Sequence, residues 1–140
     1  MAWWSYALIA AFAASATAIL AKLGVTGVPS HLATAIRTLV VLVFAWAMVF
    51  VTSEQHGLRD LSRRSWVFLI LSGIGTGVSW LAYFKALQLA PASRVAPIDK
   101  LSLALTIVLA AVVLGENISW RLAAGAALMI VGALLTLTAS

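Results

Sequence analysis

The five longest stretches of this 140-residue chain without Asp, Glu, Lys or Arg are 1–21, 38–53, 65–84, 101–115 and 122–140. A helix needs about 20 mainly apolar residues to cross a bilayer, and the stretches reach that length, some of them once they are extended past the charges that flank them. The spacing predicts five spanning helices at 3–21, 32–52, 66–87, 95–114 and 120–138, an all-α integral membrane fold. The charged fraction is 9%, against about 25% in soluble domains, and mean hydropathy is +1.09. Turn chemistry separates the runs: Gly24, Gly27 and Pro29 before the second, and Ala90-Pro91-Ala92-Ser93 before the fourth.

These residues leave little room for other classes. The five spans use nearly all 140 positions, so no soluble catalytic domain fits among them. There is no cysteine for a disulfide or thiolate metal site, and His31 and His56 lie in separate loop regions. Neither a metal nor a cofactor is expected. The net charge of +5 is scattered over helix ends, without the basic arm or aromatic interleaving of a nucleic-acid binder. A cleaved leader is not expected either, because Met1-Ala2-Trp3-Trp4 places no base ahead of the apolar run. Gly73-x-Gly75-x-Gly77 lies inside a span and follows no strand, so it does not read as a nucleotide loop. Nucleophile, base and orienting group are nowhere set together, and the expectation is that the chain is not an enzyme.

The charges instead bear on orientation. With hairpin connections, one side of the membrane collects Lys22, Arg37, Lys85, Arg94, Asp99 and Lys100, and the other collects Glu54, Arg59, Asp60, Arg63, Arg64, Glu116 and Arg121. Basic residues in short loops mark the cytoplasmic side, and the count is five against four. If Arg37 and Lys100 are set aside as lying within spans, the loop at 54–65 wins and the amino terminus is cytoplasmic. Otherwise the chain inserts both ways, and an odd number of spans would then pair antiparallel, giving from one chain the inverted repeats of many transporters.

Within the spans, polar residues fall in stripes. At 3.6 residues per turn, Ser72, Thr76, Ser79 and Tyr83 lie within about 60° of one another, and Gly73, Gly77, Trp80 and Phe84 form the adjacent stripe. Small residues let a neighbouring helix approach, which makes Gly73 and Gly77 packing candidates; Gly125 and Gly132 are the same in the fifth helix, within or between protomers. Asp99, Ser102 and Thr106 share a face of the fourth helix, with Lys100 about 100° away and expected to reach for headgroups or a neighbouring helix. Arg37 lies about two turns into the second helix, beside Thr34 and Thr38. Ionisable groups inside a membrane are functional hypotheses by default, so Arg37 and Asp99 are candidates for coupling or gating. The competing reading is an ion pair that fixes packing, with hydroxyls bonded to backbone or to adjacent helices. Lys85 lies off the stripe and is expected to snorkel, and Glu116 is expected to cap or to contact Arg121.

Several segments together resemble the drug/metabolite transporter superfamily, in its short bacterial branch with one five-helix EamA-type unit. They are Ala33-Thr34-Ala35-Ile36-Arg37-Thr38, Gly77-Val78-Ser79-Trp80-Leu81-Ala82-Tyr83-Phe84-Lys85-Ala86-Leu87, Val95-Ala96-Pro97-Ile98-Asp99-Lys100-Leu101-Ser102, and Leu114-Gly115-Glu116 leading to Gly125 and Gly132. The resemblance implies a multi-pass secondary transporter of the bacterial inner membrane, carrying small polar or amphipathic metabolites. Relatives usually join two such units in inverted orientation, so it also implies a homodimer, antiparallel if the chain inserts both ways, or a heterodimer with another half-length protein. The substrate pathway would then be lined by Arg37, Ser72, Thr76, Ser79, Trp80, Tyr83, Asp99, Ser102 and Thr106. Small multidrug-resistance relatives carry a coupling Glu in the first helix, whereas the run 1–21 has no acid, leaving Asp99 as the only carboxylate within the spans. A non-transporting accessory subunit and half of a lipid-carrier flippase are the alternatives.

A carboxyl-terminal reporter pair, one active only in the cytoplasm and one only outside, reads the topology. Signal from both wild-type fusions means dual insertion; signal from the outside reporter alone places the amino terminus in the cytoplasm. Arg63→Ala/Arg64→Ala leaves two bases on its side, so the cytoplasmic reporter is expected to gain under either count. No change would contradict the charge reading.

Overall fold

A computed structural model of the chain describes residues 2–138. They form α1 (Trp3–Gly24), α2 (Ser30–Val51), a short 3-10 helix (Glu54–Asp60), α3 (Arg63–Leu89), α4 (Ala92–Asp99), α5 (Leu101–Leu114) and α6 (Trp120–Thr138), with no strand among the described residues. With α4 and α5 taken as two halves of one span, five stretches among the described residues are long and apolar enough to cross a membrane. Hydrocarbon offers backbone groups no partner, so a segment in it must satisfy its own N–H and C=O groups, as a helix does. Large apolar side chains such as Phe12 and Val112 stand more than 70% exposed, which in water would be a liability and in lipid is not.

The helices overrun the apolar runs that predict them. α1 carries Lys22 in its last turn, α2 begins at Ser30, and α3 extends from Arg63 to Leu89. A charged residue at a membrane edge can remain helical, so polarity alone marks the boundary poorly. Backbone chemistry marks it better. Pro29 and Pro91 precede α2 and α4 in extended geometry. Ser62 Oγ accepts from the Ser65 backbone N–H at 3.0 Å, and Ser119 Oγ from that of Leu122 at 3.3 Å, capping α3 and α6. Gly115 ends α5 in the left-handed region at φ 70°, where an L side chain would be strained.

The fourth span, expected as one continuous helix, is interrupted at Lys100. Pro97 has no N–H to donate and its ring crowds the preceding turn. Downstream the ladder mixes spacings, with the Lys100 N–H donating to the Ala96 carbonyl at 3.2 Å and the Leu103 N–H to the Lys100 carbonyl at 3.0 Å.

The helices group into two compact units. One holds α1, α4, α5 and α6. Here α6 packs along both α4 and α5, burying Val95, Ala104, Ala126 and Ala133; small side chains permit such close approach. At one end of this unit, bases donate to carbonyls at or just beyond helix ends: Lys22 Nζ to that of Ala90, which follows α3, and Arg94 Nη2 to that of Leu137 in the last turn of α6, each at 2.9 Å. The other unit holds α2, the 3-10 helix and α3, with Val25, Ser30, Thr34, Phe84 and Leu87 buried. Gln88 Nε2 donates to the Val28 carbonyl at 2.5 Å, which sets the end of α3 against the approach to α2, so the two helices run antiparallel.

Arg94→Ala removes a charge-assisted bond worth about 1 kcal/mol at an exposed site. Amide exchange in the last turn of α6 is expected to quicken by about fivefold, with the middle of α6 unaffected. Unchanged exchange there would mean that the tie contributes nothing.

Candidate functional site

In the α2–α3 unit, Ser30, Thr34 and Arg37 fall within about 60° on α2, and the first two are buried. Against Arg37, α3 presents Trp80 and Phe84, and Leu87, on the same face of α3, is buried. The Arg37 guanidinium carbon lies 4.4 Å from the Trp80 ring centroid and 5.5 Å from that of Phe84, well inside cation–π range. Placing a charged side chain at mid-bilayer costs about 2.5–3.5 kcal/mol on insertion scales, and a desolvated cation–π contact returns about 2 kcal/mol. The two rings therefore offset much of the cost of keeping Arg37 within a span.

Nearby hydroxyls do not serve Arg37. Thr34 Oγ1 donates to the Ser30 carbonyl and Thr38 Oγ1 to the Thr34 carbonyl, both at 2.8 Å. This is the backbone bonding that the competing reading of intramembrane hydroxyls anticipates. Within its unit, Arg37 donates no hydrogen bond to a described residue.

The polar stripe on α3 borders this packed face. Tyr83 is half-buried, while Ser72, Thr76 and Ser79 are exposed. Thr76 gives its proton to the Ser72 carbonyl at 3.0 Å, whereas the Ser72 and Ser79 hydroxyls make no hydrogen bond among the described residues. They keep both donor and acceptor capacity. Lys85 lies off the stripe and is exposed.

In the other unit, Asp99 ends α4, half-buried, and Ser102 and Thr106 are exposed on α5. Thr106 Oγ1 donates to the Ser102 carbonyl at 2.8 Å, again a backbone bond. Lys100, expected to point away, instead turns back: its Nζ lies 3.2 Å from Asp99 Oδ2. The helix interruption falls at this residue, and the long lysine stem reaches the neighbouring carboxylate. The side chains of Lys100 and Asp99 remain 53% and 34% exposed, so the pair adds little stability. Arg37 and Asp99, considered together from the sequence, thus each have a partner in their own unit.

Other expectations fare differently. A methyl built at Gly73, Gly77, Gly125 or Gly132 meets nothing within 4 Å inside its unit, so no helix of that unit packs closely on these glycines. Arg121 lies 6.0 Å over the Trp120 ring, and no bond joins it to Glu116 among the described residues. No cluster of three or more His, Asp or Glu able to hold a metal occurs among the described residues. Phe84 was not singled out as functional from the sequence. The available signal was its spacing: it follows Trp80 by four, an aromatic pair on one helix face.

The EamA-like transporter family matches residues 1–138. A Sinorhizobium sp. protein described as an uncharacterized transporter in the cobO 3' region is 44% identical over 133 residues, covering 95% of this chain and 94% of that protein. No solved structure matches.

Proposed function

From the premise that this chain belongs to the EamA-like transporter family, a multi-pass membrane family, we propose that it is a secondary transporter of small polar or amphipathic metabolites in the bacterial cytoplasmic membrane. The reading is of an exporter or exchanger and not an enzyme. The observation that carries it is the α3 stripe, where the Ser72 and Ser79 hydroxyls stand exposed within a span beside the Arg37–Trp80 contact. Exposed hydroxyls facing only hydrocarbon would be unsatisfied, and a solute or water in a pathway satisfies them. Thr76, Trp80 and Tyr83 extend that wall, with Asp99, Ser102 and Thr106 as pathway groups of the other unit. Arg37 and Asp99 are the gating or coupling groups.

Five spans give one wall of such a pathway, and a second five-span unit gives the other. The working form is therefore a dimer, either homomeric, and antiparallel if the chain inserts both ways, or made with another half-length protein. The open surface at Gly73 and Gly77 supports this, since it leaves room for a helix from outside the unit.

Purified protein reconstituted into liposomes and loaded with amino acids, organic acids or quaternary amines tests the reading. At least one class is expected to move saturably and at least about tenfold faster than through protein-free liposomes, a catalysed barrier reduction of about 1.4 kcal/mol or more. Binding of lipophilic cations alone would overturn the polar-solute assignment. No flux for any class would favour a non-transporting accessory subunit.

A further inference from the structure

We propose that Arg37 is an oxyanion anchor and that the solute is a small amphipathic carboxylate, its carboxylate on the guanidinium and its apolar body against Trp80 and Phe84. This rests on the transporter reading above. The rings, 4.4 and 5.5 Å away, hold the guanidinium by its charge and use none of its five N–H donors. Thr34 and Thr38 are bonded to carbonyls of their own helix. The acids of the same unit, Glu54 and Asp60, lie beyond Val51, where α2 ends, and Val51 is about 20 Å along the helix from Arg37. A cation in a span, fixed by aromatic faces, therefore keeps an unspent planar fork within its unit.

That fork matches a carboxylate or phosphate in bidentate geometry. A cationic solute does not fit, because the ring faces that would attract it already carry the charge of Arg37. Lipid phosphate offers the same oxygens, but headgroups lie at the interface, whereas Arg37 lies about 10 Å along α2 from Ser30. The half-buried Trp80 and the buried Phe84 add an apolar surface beside the anchor. A small carboxylate with an aliphatic or aromatic body fits both features.

Calorimetric titration of the full-length protein in neutral detergent with phenylacetate and hexanoate, each against its neutral amide, tests this. At least one carboxylate is expected to bind saturably, with its amide at least about tenfold weaker, as loss of a charge-assisted pair implies. Arg37→Gln is expected to abolish that binding. Arg37→Lys, which keeps the charge and guards against a folding failure, is expected to weaken it about tenfold because the fork is lost. Arg64→Gln removes another ring-stacked arginine, 5.7 Å over Phe68, and is expected to change nothing.

Equal binding of acid and amide, full binding by both Arg37 variants, or no binding of either carboxylate would overturn the proposal. Arg37-dependent retention of added phosphatidylglycerol without carboxylate binding would overturn it in favour of lipid. Flux of other solutes without carboxylate binding removes the anchor and keeps the transporter; carboxylate binding without flux of any solute does the reverse.

Discussion

Hydrocarbon supplies no hydrogen bonds, and the rest of this structure follows from how the chain supplies its own. Along the spans the helical ladder suffices. At helix ends and at Pro97 it does not, and there the sequence places side chains. Ser62 and Ser119 accept at N-termini, while Lys22, Gln88 and Arg94 donate to carbonyls at or near helix ends. Bases at helix C-termini also complement the helix dipole. Two charges that count toward membrane orientation thus also act as structural ties.

Once those ties are made, the remaining polar groups stand out. Thr34, Thr38, Thr76 and Thr106 spend their protons on their own helices, and Asp99 is engaged by Lys100. Ser72, Ser79 and the N–H groups of Arg37 are not used in this way within their unit. They lie on α3 and on the α2 face that meets it, so the unspent polarity of the α2–α3 unit is concentrated beside one helix contact.

The spans were legible because charge is costly in lipid, and long uncharged runs record that cost directly. Helix ends were less so, since Lys22 and Arg63 continue helices that hydropathy would stop. The Ser72–Tyr83 stripe could be read from helical period alone, because residues on one helix need no tertiary information to be placed on one face. The partner of Arg37 could not be. It depends on which face of α3 meets α2, and a single sequence shows no cross-helix register. The interruption at Lys100 was implicit in Pro97, yet the turning back of Lys100 onto Asp99 was not, because an ideal helix separates neighbouring side chains by about 100°. The glycine stripes signalled close packing by composition, and inside each unit nothing packs on them.

The central claim is that the α3 stripe faces an aqueous pathway and not lipid. The chain has no cysteine, so single cysteines at Ser72, Thr76 and Ser79, with Ile74 and Val78 on the opposite side of α3 as references, can be probed in sealed vesicles with a membrane-impermeant thiol reagent. The account predicts labelling at the three stripe positions, at least about tenfold faster than at the two references, because a thiol reacts as its thiolate and hydrocarbon suppresses ionisation. Equal labelling at all five positions, or none at the stripe, would contradict it.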